Sequence, residues 1–282
     1  MSALTTRAPG KVNLCLYLGP TRPDGLHELV SVIQPLELAD ELRLEPAEAD
    51  ELICEGVEGE NLAGRALDAY REAAGLSGHW RLTIDKRVPV AAGMGGGSSD
   101  AAAALRLAAR AAGRPEDSLL GQLAARLGAD VPALLDPRPK LVTGAGEEVR
   151  ALDRVNTWSY VIVPLAQRLS TADVYAEADR LGLPRSAEEL AGRRREVEEA
   201  LAEAPLPAEL VHNDLQDAAR SLCPAIDEAL VAVSEVAERA LVSGSGPTVV
   251  GLCADDAQDA ARALSARFPG AVATGPAEVP SP

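Results

Sequence analysis

The chain has 282 residues, of which 47% are hydrophobic and 25% charged, the balance of a soluble globular protein long enough for one large domain or two modest ones. Its 27 basic residues against 43 acidic ones leave a net charge of −16, and only 2% of residues are aromatic. Both figures argue against a nucleic-acid partner, which needs a basic face and, for single strands, aromatic stacking platforms.

From the N-terminus, Val12 to Leu18 alternates in hydropathy as a strand does, and Pro20 to Gly25 has turn chemistry. Leu29 to Leu38 and Glu41 to Leu44 read as two further strands. Asn61 caps a helix running to about Ala74 and stopped by Gly75. Trp80 to Lys86 alternates again. A glycine-rich stretch then opens an alanine-rich helix that ends near Gly113, and a second helix covers Asp117 to Leu127, ending at Gly128. Prolines, glycines and short strand-like pieces at Asp136 to Asp153 mark a domain boundary, dividing the chain into residues 1–153 and 154–282. Beyond it come a strand at Trp158 to Val163, a helix at Thr171 to Leu181 and a charged helix at Ser186 to Ala204. Leu206 to Asn213 is a connection, and an amphipathic helix covers Pro224 to Arg239. A strand at Thr248 to Cys253, a helix from Asp255 to about Arg267 and an Ala/Gly/Pro-rich tail close the chain. Strands with interspersed helices in each half predict two α+β domains.

Cys15, Cys54, Cys223 and Cys253 are scattered, form no C-x-x-C pair, and have only His27, His79 and His212 as nitrogen partners. A zinc site is therefore not expected, and the thiols read as buried and free in a reducing, cytoplasmic protein. Met1 to Gly10 lacks the apolar stretch of a secretory signal, and no run of ~18 apolar residues predicts a membrane span. The basic run Arg193 to Arg195 lies in an acidic helix-like stretch and reads as a solvated face.

The strongest local signal is Gly93-Met94-Gly95-Gly96-Gly97-Ser98-Ser99, with four glycines in five positions. Such a run lets the backbone turn tightly and approach a ligand closely. Ser98, Ser99 and Asp100 are capping-type residues for the helix that follows, whose unpaired N–H groups and dipole favour a phosphate. A plain glycine turn is the simpler reading, but it leaves so long a glycine run unexplained. No Lys follows the loop as a Walker motif requires, and the third glycine and downstream acidic residue of a dinucleotide fingerprint are missing.

Three separated segments resemble the motifs of the GHMP kinases (galactokinase, homoserine, mevalonate and phosphomevalonate kinases). They are Pro9-Gly10-Lys11-Val12-Asn13-Leu14, the Gly93 to Ser99 loop, and Val242-Ser243-Gly244-Ser245-Gly246-Pro247-Thr248. Arg22 to Leu29, Gly128-Ala129-Asp130-Val131-Pro132 and Asn213-Asp214-Leu215 point within that superfamily to a member acting on a cytidine diphosphate-linked methylerythritol. The matches run from Pro9 to about Leu252. The resemblance implies an α+β, two-domain GHMP kinase fold, with an N-terminal ribosomal-protein-S5-domain-2-like ATP-binding domain and a C-terminal ferredoxin-like substrate domain, and an active site in the cleft between them. It implies transfer of the γ-phosphoryl group of ATP, with Mg²⁺, to the 2-hydroxyl of that small-molecule substrate in the non-mevalonate isoprenoid pathway, without nucleic-acid or membrane partners.

Residue by residue, the resemblance makes Asp130 the catalytic base; on spacing alone it is a cap or turn residue. Lys11 keeps Asp130 ionised and neutralises charge near the acceptor oxygen. Asn13, two residues on, shares its strand face and reaches a substrate hydroxyl. ATP is bound by Pro89-Val90-Ala91-Ala92-Gly93-Met94-Gly95-Gly96-Gly97-Ser98-Ser99. His27 contacts the cytosine, Thr171 the erythritol part, and Tyr175 covers the base; Tyr175 also suits ordinary packing on an amphipathic helix. Gly244 and Ser245 support the substrate diphosphate, or form a plain helix-to-strand turn. The family's aromatic residue before the histidine is replaced by Leu26. No metal-binding carboxylate stands out, leaving Ser99 as the protein candidate for Mg²⁺. A homoserine- or mevalonate-type kinase and a non-catalytic nucleotide binder on the same fold are the competing readings.

Overall fold

In chain order the elements of the computed structural model are β1 (Leu4–Thr21), β2 (His27–Ala47), β3 (Glu51–Cys54), α1 (Leu62–Ala74), β4 (His79–Asp85), α2 (Gly96–Ala111), α3 (Leu119–Leu127), α4 (Val131–Leu134), β5 (Lys140–Thr143), β6 (Glu148–Ala151), β7 (Ser159–Val163), α5 (Thr171–Leu181), α6 (Ala187–Glu203), β8 (His212–Asn213), α7 (Gln216–Leu222), α8 (Ala225–Ser234), β9 (Arg239–Val242), β10 (Val249–Cys253), α9 (Gln258–Ser265) and β11 (Val272–Thr274). The structure describes residues 3–278 apart from 58, 91, 116, 117, 154, 156, 157 and 204. Asp117 and Ala204, expected helix ends, lie outside the described residues.

The chain divides into two compact units, one of Met1–Gly10, Leu38–Val90 and Gly95–Pro137, the other of Lys11–Glu37, Ala91–Met94 and Arg138–Pro282. The single boundary expected at 153/154 does not describe this division. The physical reason is that β1 and β2 are long strands, each contributing residues to both units.

In the first unit β2 pairs antiparallel with β4 (Leu42↔Ile84, Leu44↔Leu82) and β3 runs parallel to β4. Asn61 caps α1 by accepting the Ala63 N–H at 2.9 Å, and Gly75 closes it in the left-handed conformation, as its sequence requires. Helix α2 is buried from Ala101 through Leu105, Tyr70 and Leu123 belonging to the same core. Its small side chains suit a helix enclosed on all sides. In the second unit β1 pairs with β8 through Cys15↔His212 and Leu16↔Asn213, and β2 with β5 through Ser31↔Val142. A separate antiparallel sheet, β11-β7-β10-β9, shares a core with residues of α5, α7, α8 and α9.

Several elements differ from expectation. The two strands expected at Leu29 to Leu38 and Glu41 to Leu44 are one, because Asp40 between them is buried with its carboxylate accepting the Arg87 and Val88 N–H groups. The helix after Pro224 stops at Ser234, and Arg239–Val242 is drawn into pairing with β10. The connection to Asn213 and the segment after it contain β8 and α7, and the Ala/Gly/Pro-rich tail adds β11 to β7. Cys15, Cys223 and Cys253 are buried, whereas Cys54 is half-buried. Burial pushes the Cys15 thiol up to about 12, which keeps it a core-packing group. Among the described residues no helix is long and apolar enough to cross a membrane.

Candidate active site

Within the second unit, three distant sequence motifs meet on one ammonium group. Lys11 Nζ donates to Asn13 Oδ1 at 2.8 Å and to the Gly93 carbonyl at 2.8 Å, while its own N–H donates to the Met94 carbonyl at 2.9 Å. Strand alternation puts Lys11 and Asn13 on one face, and both are buried. Asn13 Nδ2 donates to Ser31 Oγ at 2.8 Å, and Ser31 Oγ donates to the Cys15 carbonyl at 2.7 Å. Each polar atom of this interior row thus has a partner, as buried polar groups require.

The third motif closes on the same place. Gly244 has φ 55°, and a Cβ there would lie 3.2 Å from Lys11 Nζ and 3.3 Å from the Gly93 carbonyl oxygen. Gly93 has φ 70°, and its Cβ would meet the Ser243 carbonyl oxygen at 2.3 Å. Asn213 anchors this turn, donating to the Val242 and Gly244 carbonyls at 2.8 and 2.7 Å. Ser245 Oγ lies 3.1 Å from Thr171 Oγ1, at the first residue of α5.

Two further expected residues meet on α5 and the start of β2. The rings of His27 and Tyr175 are 5.4 Å apart, tilted by 47°. His27 Nε2 lies 2.7 Å from Asp179 Oδ1 and 3.2 Å from Thr21 Oγ1. Leu26, beside it, is 55% exposed.

In the first unit, α2 begins at Gly96, with Gly95 as its N-cap at φ 66° and no side-chain cap. Ser98, Ser99 and Asp100 are therefore not caps: the left-handed Gly95 starts the helix early and leaves them inside its first two turns. The Ser99 N–H is the first to close on a helical carbonyl, that of Gly95 at 2.8 Å. The N–H groups of Gly96, Gly97 and Ser98 precede it, the set a helix start leaves for an outside acceptor. Ser99 Oγ is buried with no hydrogen-bond partner among the described residues. Pro89 is half-buried and Val90 exposed at the loop's entry; Ala92 is buried on the second unit's stretch; Ala91 lies outside the described residues. Asp130 stands at the N-cap of α4 and is exposed, yet its carboxylate makes no cap hydrogen bond. The plainer capping role is thus absent.

Known proteins are similar to this chain over nearly its whole length. The GHMP kinases N terminal domain matches residues 61–136, and the GHMP kinases C terminal domain residues 187–270. The 4-diphosphocytidyl-2-C-methyl-D-erythritol kinase of Leifsonia xyli subsp. xyli is 40% identical over 98% of this chain and 97% of its own length. The chain belongs to this family of GHMP kinases. A crystal structure of 4-(cytidine 5'-diphospho)-2C-methyl-D-erythritol kinase agrees, with a TM-score of 0.78 and 36% identity over 98% of this chain and 100% of that one. Homoserine kinase from Cytophaga hutchinsonii, at a TM-score of 0.71 and 17% identity over 98% of this chain and 95% of that one, shares the fold alone. The chain is accordingly an ATP-dependent small-molecule kinase.

Several residues that touch the expected site residues escape a reading by motif. Ser31 shows itself only as a hydroxyl between aliphatic residues of a strand, and Asp179 as an ordinary charged helix position. Asp214 is legible as part of a matched segment, but its work is structural. It accepts from the Leu18 N–H at 2.9 Å and from Arg185 Nε and Nη2 at 2.7 Å. Burial pushes its carboxyl up, but hydrogen bonds from His212, Arg185 and Leu18 outweigh this and hold it below the usual range.

Proposed function

We propose that the chain phosphorylates the 2-hydroxyl of 4-diphosphocytidyl-2-C-methyl-D-erythritol with ATP, in the cytoplasm, as a step of non-mevalonate isoprenoid synthesis. The observation that carries this reading is the convergence of Lys11, Asn13, Gly93 and Gly244 within the second unit, in a chain of this family. Phosphoryl transfer demands positioning and charge neutralisation more than covalent chemistry from the protein. The N–H groups at the start of α2 bind phosphate oxygens. Asp130, exposed and free of capping work, accepts the hydroxyl proton as the oxygen–phosphorus bond forms. Lys11 neutralises charge at the acceptor oxygen and Asn13 orients the hydroxyl. Gly244, Ser245 and Thr171 hold the diphosphate and erythritol portion, and His27 with Tyr175 the cytosine.

A magnesium ion fits one feature of the first unit, the buried and unpartnered Ser99 hydroxyl. Among the described residues no group of three or more His, Cys, Asp or Glu side chains could hold a metal. Mg²⁺ would then be carried chiefly by nucleotide oxygens and water, where it neutralises phosphate charge. Release of ADP from Mg·ATP, measured against a panel of acceptors, tests the function. Turnover is expected with the diphosphocytidyl acceptor; turnover with homoserine or mevalonate instead overturns the reading.

A further inference from the structure

The first unit holds two buried carboxylates and a partly buried lysine that the chemistry above does not use. Asp40, 0% exposed on β2, accepts the Arg87 and Val88 N–H groups through Oδ1 at 2.6 and 2.8 Å, and its Oδ2 is ion-paired with Lys86 Nζ. Lys86 Nζ also donates to Asp100 Oδ2 at 2.8 Å. Asp100 is itself buried on α2, and its Oδ1 has no hydrogen-bond partner among the described residues.

These residues bracket the glycine loop. Asp40 holds the chain where it leaves β4, through the N–H groups of residues 87 and 88. Asp100 belongs to the helix that the loop opens. A Cβ on Gly96 would lie 3.4 Å from Lys86 Nζ, so the ammonium sits against the first helical residue. The loop needs outside support, because a glycine run has the most backbone freedom to lose and Gly95 brings no capping side chain. Burying charge is a poor route to stability compared with apolar packing. What hydrogen-bonded charges supply here is a fixed geometry.

We propose that Asp40, Lys86 and Asp100 form a positioning clamp that sets the spacing of the two ends of the glycine loop, and through it the affinity for the nucleotide phosphates. The clamp rests on the reading of this loop as the ATP phosphate site. None of its three residues is assigned to touch the substrate.

Replacing Asp100 separates the clamp from a merely structural role. Asp100→Asn keeps an oxygen that can accept from Lys86 Nζ, whereas Asp100→Ala and Asp100→Leu do not; all three leave the Asp40–Lys86 pair intact. We expect KM for ATP to rise about tenfold or more in the Ala and Leu variants, with kcat and the acceptor KM within about threefold, and the Asn variant to stay near wild type. KM reports only folded enzyme, so partial unfolding lowers apparent kcat without imitating this pattern, and Leu avoids an emptied site. An unchanged ATP KM in the Ala and Leu variants overturns the clamp, as does an equal rise in all three. Calorimetry of Mg·ATP binding to the wild-type chain separates the two readings. No binding there overturns the assignment of the loop and the clamp with it. Wild-type binding that Asp100→Ala and Asp100→Leu leave unweakened overturns the clamp alone.

Discussion

The ammonium of Lys11 lies 2.8 Å from the carbonyl oxygen of Gly93, a residue 82 positions further along the chain. The same ammonium holds Asn13 Oδ1, so a single charge ties the first motif to the glycine-rich loop. Lys11→Met should lower kcat by ~10²-fold or more if this charge neutralises the acceptor oxygen. Steady-state kinetics on a variant with wild-type circular dichroism checks it, and an unchanged kcat removes Lys11 from the reaction.

Asp130 carries an exposed carboxylate with no capping duty. Asp130→Asn should lower kcat by ~10²-fold or more while the KM for ATP stays within about threefold. Wild-type turnover would exclude a role as base.

Two glycines of the same loop should respond in opposite ways. At Gly93 a side chain would meet the Ser243 carbonyl oxygen at 2.3 Å with φ at 70°, so Gly93→Ala should cost at least ~2 kcal/mol of stability. At Gly97 nothing lies within 4 Å of a built Cβ, and the residue is helical. Gly97→Ala should leave stability unchanged or raise it by up to ~1 kcal/mol. If the backbone there approaches phosphate, the KM for ATP should nevertheless rise by about tenfold. Thermal melts beside ATP titrations decide; an unaffected KM would make Gly97 dispensable for nucleotide binding.

The carboxyl of Asp100 is pushed up to about 7 by burial, opposed by Lys86 and reinforced by Asp40. Cys54 is a further titratable side chain in electrostatic reach of this cluster. A carboxyl raised above its unfolded value of 3.8 makes the folded chain bind more protons. Its stabilising effect is complete below that value and is lost as pH rises through about 7. Between pH 5 and 8 the wild-type Tm should therefore fall relative to that of Asp100→Asn, by roughly 5 °C. Parallel Tm-against-pH curves for the two proteins would contradict this.

Leu26 occupies the position where an aromatic residue is expected beside His27, and it is 55% exposed. Leu26→Tyr should lower the KM for the cytidyl substrate or leave it unchanged, since an aromatic ring there offers a stacking surface. A clear rise would mean that the pocket is shaped around an aliphatic wall.

The sequence by itself determined the elements whose signals are local. The Asn61 cap, the Gly75 stop, the helix from Thr171 and the opening of α2 after a glycine run all follow from backbone preferences within a few residues. The three motifs and the family could be read on the same basis, since each is a short contiguous pattern. Tertiary structure decided whatever depends on partners far along the chain. Asp40 sits within one long strand because Arg87 and Val88 satisfy its carboxylate. The helix expected to reach Arg239 stops at Ser234, and Arg239–Val242 instead pairs with β10, which supplies a ladder of hydrogen bonds. Ser31 joins the buried polar row of Lys11 and Asn13 because Asn13, on a neighbouring strand, needs an acceptor. The Lys86–Asp100 pair forms because folding buries the Asp100 carboxylate beside a partly buried ammonium, two groups that a linear pattern would leave in water. Local conformational preference is written in neighbouring residues, whereas the cost of burying a polar group arises only when the chain closes around it.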